Sequence, residues 1–296
     1  MPERIKNYYL GCPIWGNPEW KGALFTREAR AGDFLQQYGK VFNTVEGNNT
    51  FYGLPKPGAI ERWGKEVPED FRFSFKFPRR ISHELQLQHA GADTRDFLNA
   101  LAPIAGKIGV LFLQLPPGFG PGGMPALGQY LLSLPTDFAY AVEVRHRMFF
   151  DDPVAEKRLN ELLSSHHANR ALFDTSTLHL LASDDPDVIT AQGKKPQVPE
   201  RFTATGGQPF LRYVGHKTVA PNRSRLTYIA GIIAGWLREG RTPYVFIHSP
   251  GDLYAPQISR EFHQILKEQL PGMDLGAMPP WPGESEPKPP EQMSLF

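Results

Sequence analysis

The chain has 296 residues, and 32 Lys plus Arg set against 31 Asp plus Glu leave a formal charge of +1. That balance excludes a general polyanion binder, while 41% hydrophobic and 21% charged residues exclude wholesale disorder and are ordinary for a globular domain with a full core. A single cysteine, Cys12, excludes an intrachain disulfide and any multi-cysteine metal site. The start, MPERIKNYYLGCPIW, lacks an apolar h-region. The most apolar stretch, from Leu226 to Leu237, is broken by Gly231 and Gly235 and is too short to span a bilayer. A cytoplasmic protein with no membrane contact is expected.

Eight short runs rich in β-branched and aromatic residues follow one another at intervals of roughly 30 to 40 residues, the length of a βα unit. They begin at Tyr8, Val41, Phe71, Ile108, Ala139, Asn169, Pro209 and Thr242. After each comes a segment with helical spacing. These segments start at Asp33, Gly58, Asp93, Met124, Pro153, Arg223 and Ala255, with a weak one after Ser176. Asp93 and Asp152 stand where N-caps belong, and Gly240 follows the basic end of the helix from Arg223. Strand then helix, eight times, predicts a single (β/α)8 TIM barrel over residues 1–270.

Two stretches depart from the repeat. Residues 176–208 are too polar and too rich in Pro and Gly for one helix, which predicts a lid or rim excursion between strands six and seven. Residues 271–296 are dense in proline and predict an extended or disordered tail outside the barrel.

In such a barrel the chemistry sits at the carboxyl ends of the strands. Those ends carry charges inside apolar runs, which are costly unless paired or used. Glu46, Lys76, Glu143, Arg145, Asp174, Arg212 and His248 are the charged or titratable side chains so placed. Glu143 and Arg145 lie two apart and share one side of their strand. Lys76, Arg145 and Arg212, with Arg79 close behind, outnumber the acids and suit an anionic ligand, since Arg binds phosphate or carboxylate through two bonds. Glu46 with Glu143, or Glu143 with Asp174, then supplies a general acid and base. This predicts a hydrolase-type enzyme acting on a phosphoester or glycosidic bond. Glu143, Glu46 and Asp174 are its catalytic candidates, and Lys76, Arg145, Arg212, Asn48, Tyr52 and His248 bind substrate, a small anionic ligand or nucleotide.

Competing readings attach to the same residues. The charges can satisfy one another as a purely structural network. Glu46, Glu143, Asp174, His216 and His248 are also ligand types for a divalent metal, although neighbouring Arg and Lys oppose a cation, so no cofactor is assigned. Cys12 reads as core packing, and PPGFGPGGMP lacks the Lys-Ser/Thr of a P-loop.

Taken together, VEGNNTFYGLP, FRFSFKFPRRISHE, LFLQLPPGFG, YAVEVRHRMFF, ALFDT, FLRYVGH and VFIHSPGDLYAPQ resemble the domain of unknown function 72 family, the YecE-like proteins. The likeness covers about residues 7–270 and implies a TIM barrel without implying an activity. Glu46, Asn48, Thr50, Phe51 and Tyr52 match the family's E-x-N-x-T-F-Y pattern. HSPGD stands where many members have two asparagines, which puts the roles of His248 and Asp252 in doubt.

The last five residues, QMSLF, resemble the motif by which bacterial replication and repair proteins dock on the DNA polymerase sliding clamp. Gln292, Leu295 and Phe296 are its anchors. An alternative function follows, in which the chain is a DNA-associated factor recruited through this peptide and the barrel need not be catalytic.

Overall fold

A computed structural model describes residues 4–180 and 182–287. Eight parallel strands stand where the eight apolar runs predict them: β1 Tyr9–Gly11, β2 Thr44–Gly47, β3 Arg72–Phe75, β4 Val110–Gln114, β5 Ala139–Glu143, β6 Asn169–Asp174, β7 Phe210–Val214 and β8 Tyr244–His248. Between and after them lie α1 Phe34–Val41, α2 Ala59–Glu66, α3 Gly91–Leu101, α4 Met124–Ser133, α5 Met148–Asp151, α6 Pro153–Ser165, α7 Ser176–His179, α8 Pro186–Lys194, α9 Arg223–Arg238 and α10 Ala255–Gln269.

The strands curl into a barrel-like α/β sheet. A continuous ladder runs through six of them in the order β1-β8-β7-β6-β5-β4, and β2 pairs with β3. Two seams separate the six from the two. β3 meets β4 through isolated parallel bridges, Phe73 with Ile108 and Lys76 with Phe112. At the other seam Glu46 N–H donates to the Cys12 carbonyl at 3.1 Å. There the Tyr38 hydroxyl of α1 replaces ladder bonds, accepting from Cys12 N–H at 2.7 Å and donating to the Thr44 carbonyl at 2.9 Å. Gly11 makes this approach possible, since a Cβ there would stand 2.1 Å from the Thr44 oxygen.

Strand parity sorts side chains into two packed layers. Val110, Phe112, Ala141, Ala171, Phe210, Tyr244 and Phe246 form the cluster inside the curl. Their neighbours Leu111, Leu113, Val142, Leu172, Leu211, Val245 and Ile247 pack outward in the larger core that includes the helices. One step further along the inward rows stand Gln114, Glu143, Arg212 and His248. The interior therefore changes from apolar to charged at its carboxyl end.

Asp152 caps α6 as expected, accepting from Val154 N–H at 2.9 Å. Asp93 does not cap α3. That helix begins at Gly91, and Asp93 sits in its first turn, where it receives Arg80 Nε at 2.7 Å. Gly240 follows α9 with φ of 76°, the left-handed conformation that glycine adopts without strain.

The excursion between β6 and β7 contains α7 and α8 and folds back on the rim. Lys217, in the loop after β7, binds Asp185 at 2.6 Å and Asp187 at 3.0 Å at the start of α8. His179 Nε2 donates to the Lys195 carbonyl at 3.2 Å, closing the far end.

As far as Pro287 the proline-rich stretch is extended but does not stand off the fold. Lys6 N–H bonds the Leu275 carbonyl beside the start of β1. Trp281 is buried, with the Arg260 guanidinium of α10 at 3.4 Å from its ring centre. Arg27 N–H then donates to Glu286 at 3.0 Å. Leu275 and Trp281 supply the reason, since burying two large apolar side chains outweighs the proline content. Among the described residues no helix is long and apolar enough to cross a membrane. Gln292, Leu295 and Phe296 lie outside the described residues.

Candidate functional site

The charged ends of β2, β3, β4, β5, β7 and β8 converge on one buried network. Arg212 is its hub. Its Nε and Nη2 bind Glu46 Oε2 and Oε1 at 2.7 and 2.8 Å, and its Nη1 binds Glu143 Oε2 at 2.5 Å. Arg145 Nε takes the other Glu143 oxygen at 2.7 Å, and its Nη2 donates to Gln114 Oε1 at 3.0 Å. Gln114 Oε1 also accepts from Lys76 Nζ at 2.8 Å. Asn48 Nδ2 and His248 Nε2 complete the shell of Glu46 at 2.7 and 3.3 Å.

These contacts set the protonation states. Burial alone would raise the Glu46 carboxyl, but the Arg212 and His248 charges outweigh it and hold the group well below the usual range. Glu143 is held at about 2, burial again being overcome by Arg212 and Arg145. Lys76 goes the other way. Burial, helped by Arg212 and Arg145 and opposed by Glu143 and Glu46, lowers its ammonium to about 7. Burial also lowers His248, and it raises Asp252. Two carboxylates thus face two guanidinium groups, and Lys76 is the group of this network that changes charge near neutral pH.

Above the network a cavity of about 440 Å³ opens to solvent. Lys76, Arg79, Arg145, Lys194, Lys195 and Arg212 line it, against one carboxylate, Asp252. Phe51 stands on one wall with its ring centre 3.7 Å from Lys76 Nζ. A smaller cavity of about 220 Å³ adjoins it and shares Pro13, Ile14 and Asn48.

The structure brings together Glu46, Glu143, Lys76, Arg145, Arg212, Asn48 and His248. Tyr52 joins them only at the rim, 83% exposed. Asp174 does not join. It has the parity of Leu172, so it points out of the curl, where Oδ2 receives Arg225 Nε at 2.7 Å and Oδ1 receives the Ser176 N–H and hydroxyl at 2.9 and 2.7 Å. Phe173 faces the site in its place, with its ring centre 5.2 Å from the Arg212 guanidinium and 5.3 Å from that of Arg145. His216 bonds Thr218 away from the network. Glu46 and Glu143 spend their oxygens on Arg212, Arg145, Asn48 and His248, and among the described residues no three acid, His or Cys side chains are disposed to hold a metal. Cys12 is buried in the core, where burial pushes its thiol up.

Sequence reasoning missed Lys194, Lys195 and Phe173. Parity with Ala171 was enough to find Phe173. The two lysines sit in a polar excursion whose path over the mouth is set by the Lys217 ion pairs, and nothing local signals it.

A curled parallel α/β sheet with a charged site at its strand ends defines the class of protein. The chain belongs to the family described as "Protein of unknown function DUF72", whose model matches residues 9–284. It is 38% identical to the UPF0759 protein YecE of Escherichia coli K12 over 277 residues, covering 94% of this chain and 98% of that one. The UPF0759 protein YunF of Bacillus subtilis is 26% identical over 160 residues, covering 51% of this chain and 55% of that one. Crystal structures of DUF72 family proteins share the fold. One from Enterococcus faecalis gives a TM-score of 0.68 at 17% identity, covering 88% of this chain and 95% of that one. One from Thermotoga maritima gives 0.66 at 19% identity, covering 89% and 99%.

Proposed function

We propose that the eight strands act as a (β/α)8 barrel whose carboxyl mouth is an active site for a small anionic, phosphate-bearing ligand. One observation carries this reading: four basic side chains, Lys76, Arg79, Lys194 and Lys195, and a single acid line the cavity above a floor where Arg145 and Arg212 are paired with Glu143 and Glu46. An anion entering there meets Arg145 and Lys195 without having to displace a carboxylate.

The reaction follows from which group can move a proton. Glu46 and Glu143 are held ionised by their arginines and are poor acids and weak bases at neutral pH. The proton-handling role passes to Lys76, which Gln114 positions. Hydrolysis of a phosphoester, with Lys76 protonating the leaving oxygen, is one reaction such a site supports.

Calorimetry at fixed ionic strength tests the reading with inorganic phosphate, glucose 6-phosphate and glucose. The two phosphates bind, glucose does not, and Lys195→Ala weakens the phosphates. Equal behaviour of glucose and its phosphate would sink it.

A second reading is recruitment to the DNA polymerase sliding clamp through QMSLF. The course of the chain favours it. Residues 274–287 climb the outer wall from the amino end of β1 to the β1–α1 loop, so the exposed Pro287 lies on the carboxyl side of the fold. A partner held by the residues beyond would stand beside the proposed mouth. Capture of the clamp by the full chain, lost on Leu295→Ala with Phe296→Ala, tests it; capture unaffected by the double variant, or none at all, rejects it.

A further inference from the structure

Lys76 is an unusual lysine in its surroundings as well as its charge. Lys107, also largely buried, satisfies its three donors on the carbonyls of Gly64 and Val67 and the carboxylate of Glu69. Among the described residues Lys76 Nζ has one hydrogen-bond acceptor, Gln114 Oε1, and that atom is shared with Arg145. The faces of Phe51 and Phe112 flank it, with ring centres at 3.7 and 5.8 Å, the cavity opens on one side, and the charges of Arg212, Arg145, Glu143 and Glu46 act on it without a direct hydrogen bond. Its backbone is held just past the end of β3, where Lys76 N–H donates to the Gly47 carbonyl at 3.1 Å and Lys76 bridges to Phe112 of β4.

An amine walled by aromatic rings beside guanidinium groups is poised for addition to carbon, because desolvation and neighbouring cations favour the free base. We propose that Lys76 forms an imine with a small ketone or aldehyde that also carries an anionic group. Arg145 and Lys195 would hold the anion while Nζ reaches the carbonyl carbon. The proposal rests on the anion-site reading above for the ligand's charge, and it adds the ligand's second feature, a carbonyl.

The step balances without a co-reactant. The Nζ lone pair forms the N–C bond, and the carbonyl π pair moves onto oxygen, which takes a proton. The resulting carbinolamine loses that oxygen as water and nitrogen loses its proton, so amine plus carbonyl gives imine plus water. Neither carbon nor nitrogen changes its formal redox state. Burial, helped by Arg212 and Arg145, lowers the Lys76 ammonium to about 7, so free amine is available near neutral pH.

Reductive trapping tests this on the full chain. Pyruvate, dihydroxyacetone phosphate and, as a neutral control, acetone are each incubated with borohydride, and adducts are located by peptide mass spectrometry. The expected result is one adduct, on Lys76, formed roughly tenfold or more faster from the two anionic ketones than from acetone. Inorganic phosphate should slow it. Lys76→Arg keeps the positive charge and should abolish the adduct while urea unfolding shows the variant to be as cooperatively folded as the parent, which separates loss of chemistry from loss of folding.

No adduct on Lys76 from any ketone, with phosphate binding intact, overturns the imine and leaves the anion site standing. Labelling confined to Lys194, Lys195 or surface lysines also overturns it. Labelling of Lys76 by acetone as fast as by the anionic ketones, without phosphate binding, supports the imine-forming amine and removes the anion reading.

Discussion

Arg212 on β7 and Glu46 on β2 meet through two parallel hydrogen bonds of 2.7 and 2.8 Å across the interior of the curled sheet. No ladder joins their strands, since β2 belongs to the pair that stands apart from the six. The ion pair therefore ties the two sheets together at their carboxyl ends, and both side chains are almost fully buried. Breaking one half of such a pair leaves a charge unmatched in the interior, which costs about 3–5 kcal/mol. Glu46→Gln and Arg212→Met should each lower unfolding stability by that order in urea titrations. Replacing both, Glu46→Met with Arg212→Met, should recover the part that belongs to this pair and leave the part that comes from Glu143, whose Oε2 loses Arg212 in either case. A Glu46→Gln protein as stable as the parent would show that the pair holds nothing.

Lys76 predicts a pH dependence of binding. Arg212 from β7, Arg145 and Glu143 from β5, Glu46 from β2, and His83 and Arg79 after β3 surround it. Below about pH 7 it is an ammonium and adds to the positive potential of the mouth; above, it is neutral. Sulfate keeps its charge over this range, so its affinity should fall as pH rises through about 7, and binding near that pH should take up a proton. Calorimetry in two buffers of different ionisation enthalpy reads the uptake directly, and Lys76→Met should remove it. Stability moves in the opposite direction. The folded ammonium lies below its unfolded value of about 10.4, so between the two the unfolded chain binds more protons and stability rises with pH. Sulfate affinity that is flat from about pH 6 to pH 8.5 would contradict the assignment.

All eight strands were legible because a strand buried between a filled interior and a ring of helices needs continuous apolar residues, and those runs are dense here. The converging charges were legible for the same reason, as Glu143 and Arg212 interrupt runs that otherwise exclude them. What was not legible depended on contacts between distant segments. The Tyr38 hydroxyl that replaces a ladder between β1 and β2 comes from a helix, and the excursion that carries Lys195 to the mouth is held by Lys217 on Asp185 and Asp187 and by His179 on the Lys195 carbonyl. Asp174 was misassigned for a local reason: it was read as a strand end without asking which face the alternation from Ala171 and Phe173 gives it.

Asp174 provides a sharp contrast with the site residues. Its carboxylate joins the start of α7 to Arg225 of α9 and faces away from the cavity. Asp174→Asn keeps the shape but weakens the three hydrogen bonds that its carboxylate accepts from Arg225 and Ser176, so unfolding stability should fall by about 1–3 kcal/mol. Sulfate or phosphate affinity should stay within a factor of about two, since no lining side chain changes. A large loss of affinity with little change in stability would return Asp174 to the site.

The described part of the proline-rich stretch, up to Pro287, holds on to the fold. Trp281 is 1% exposed, Arg260 covers its ring, and the same Arg260 holds Glu284 through two bonds of 2.9 Å. Removing a buried aromatic side chain of this size costs about 3–5 kcal/mol, so Trp281→Ala should destabilise the protein by that order in urea. Deleting residues 288–296 removes none of these contacts and should leave both unfolding stability and sulfate affinity unchanged, while abolishing any capture of the sliding clamp. The two variants together separate anchor from bait. If the deletion destabilised the fold as much as Trp281→Ala does, the terminal peptide would be part of the barrel wall, and the recruitment reading would lose the free segment it requires.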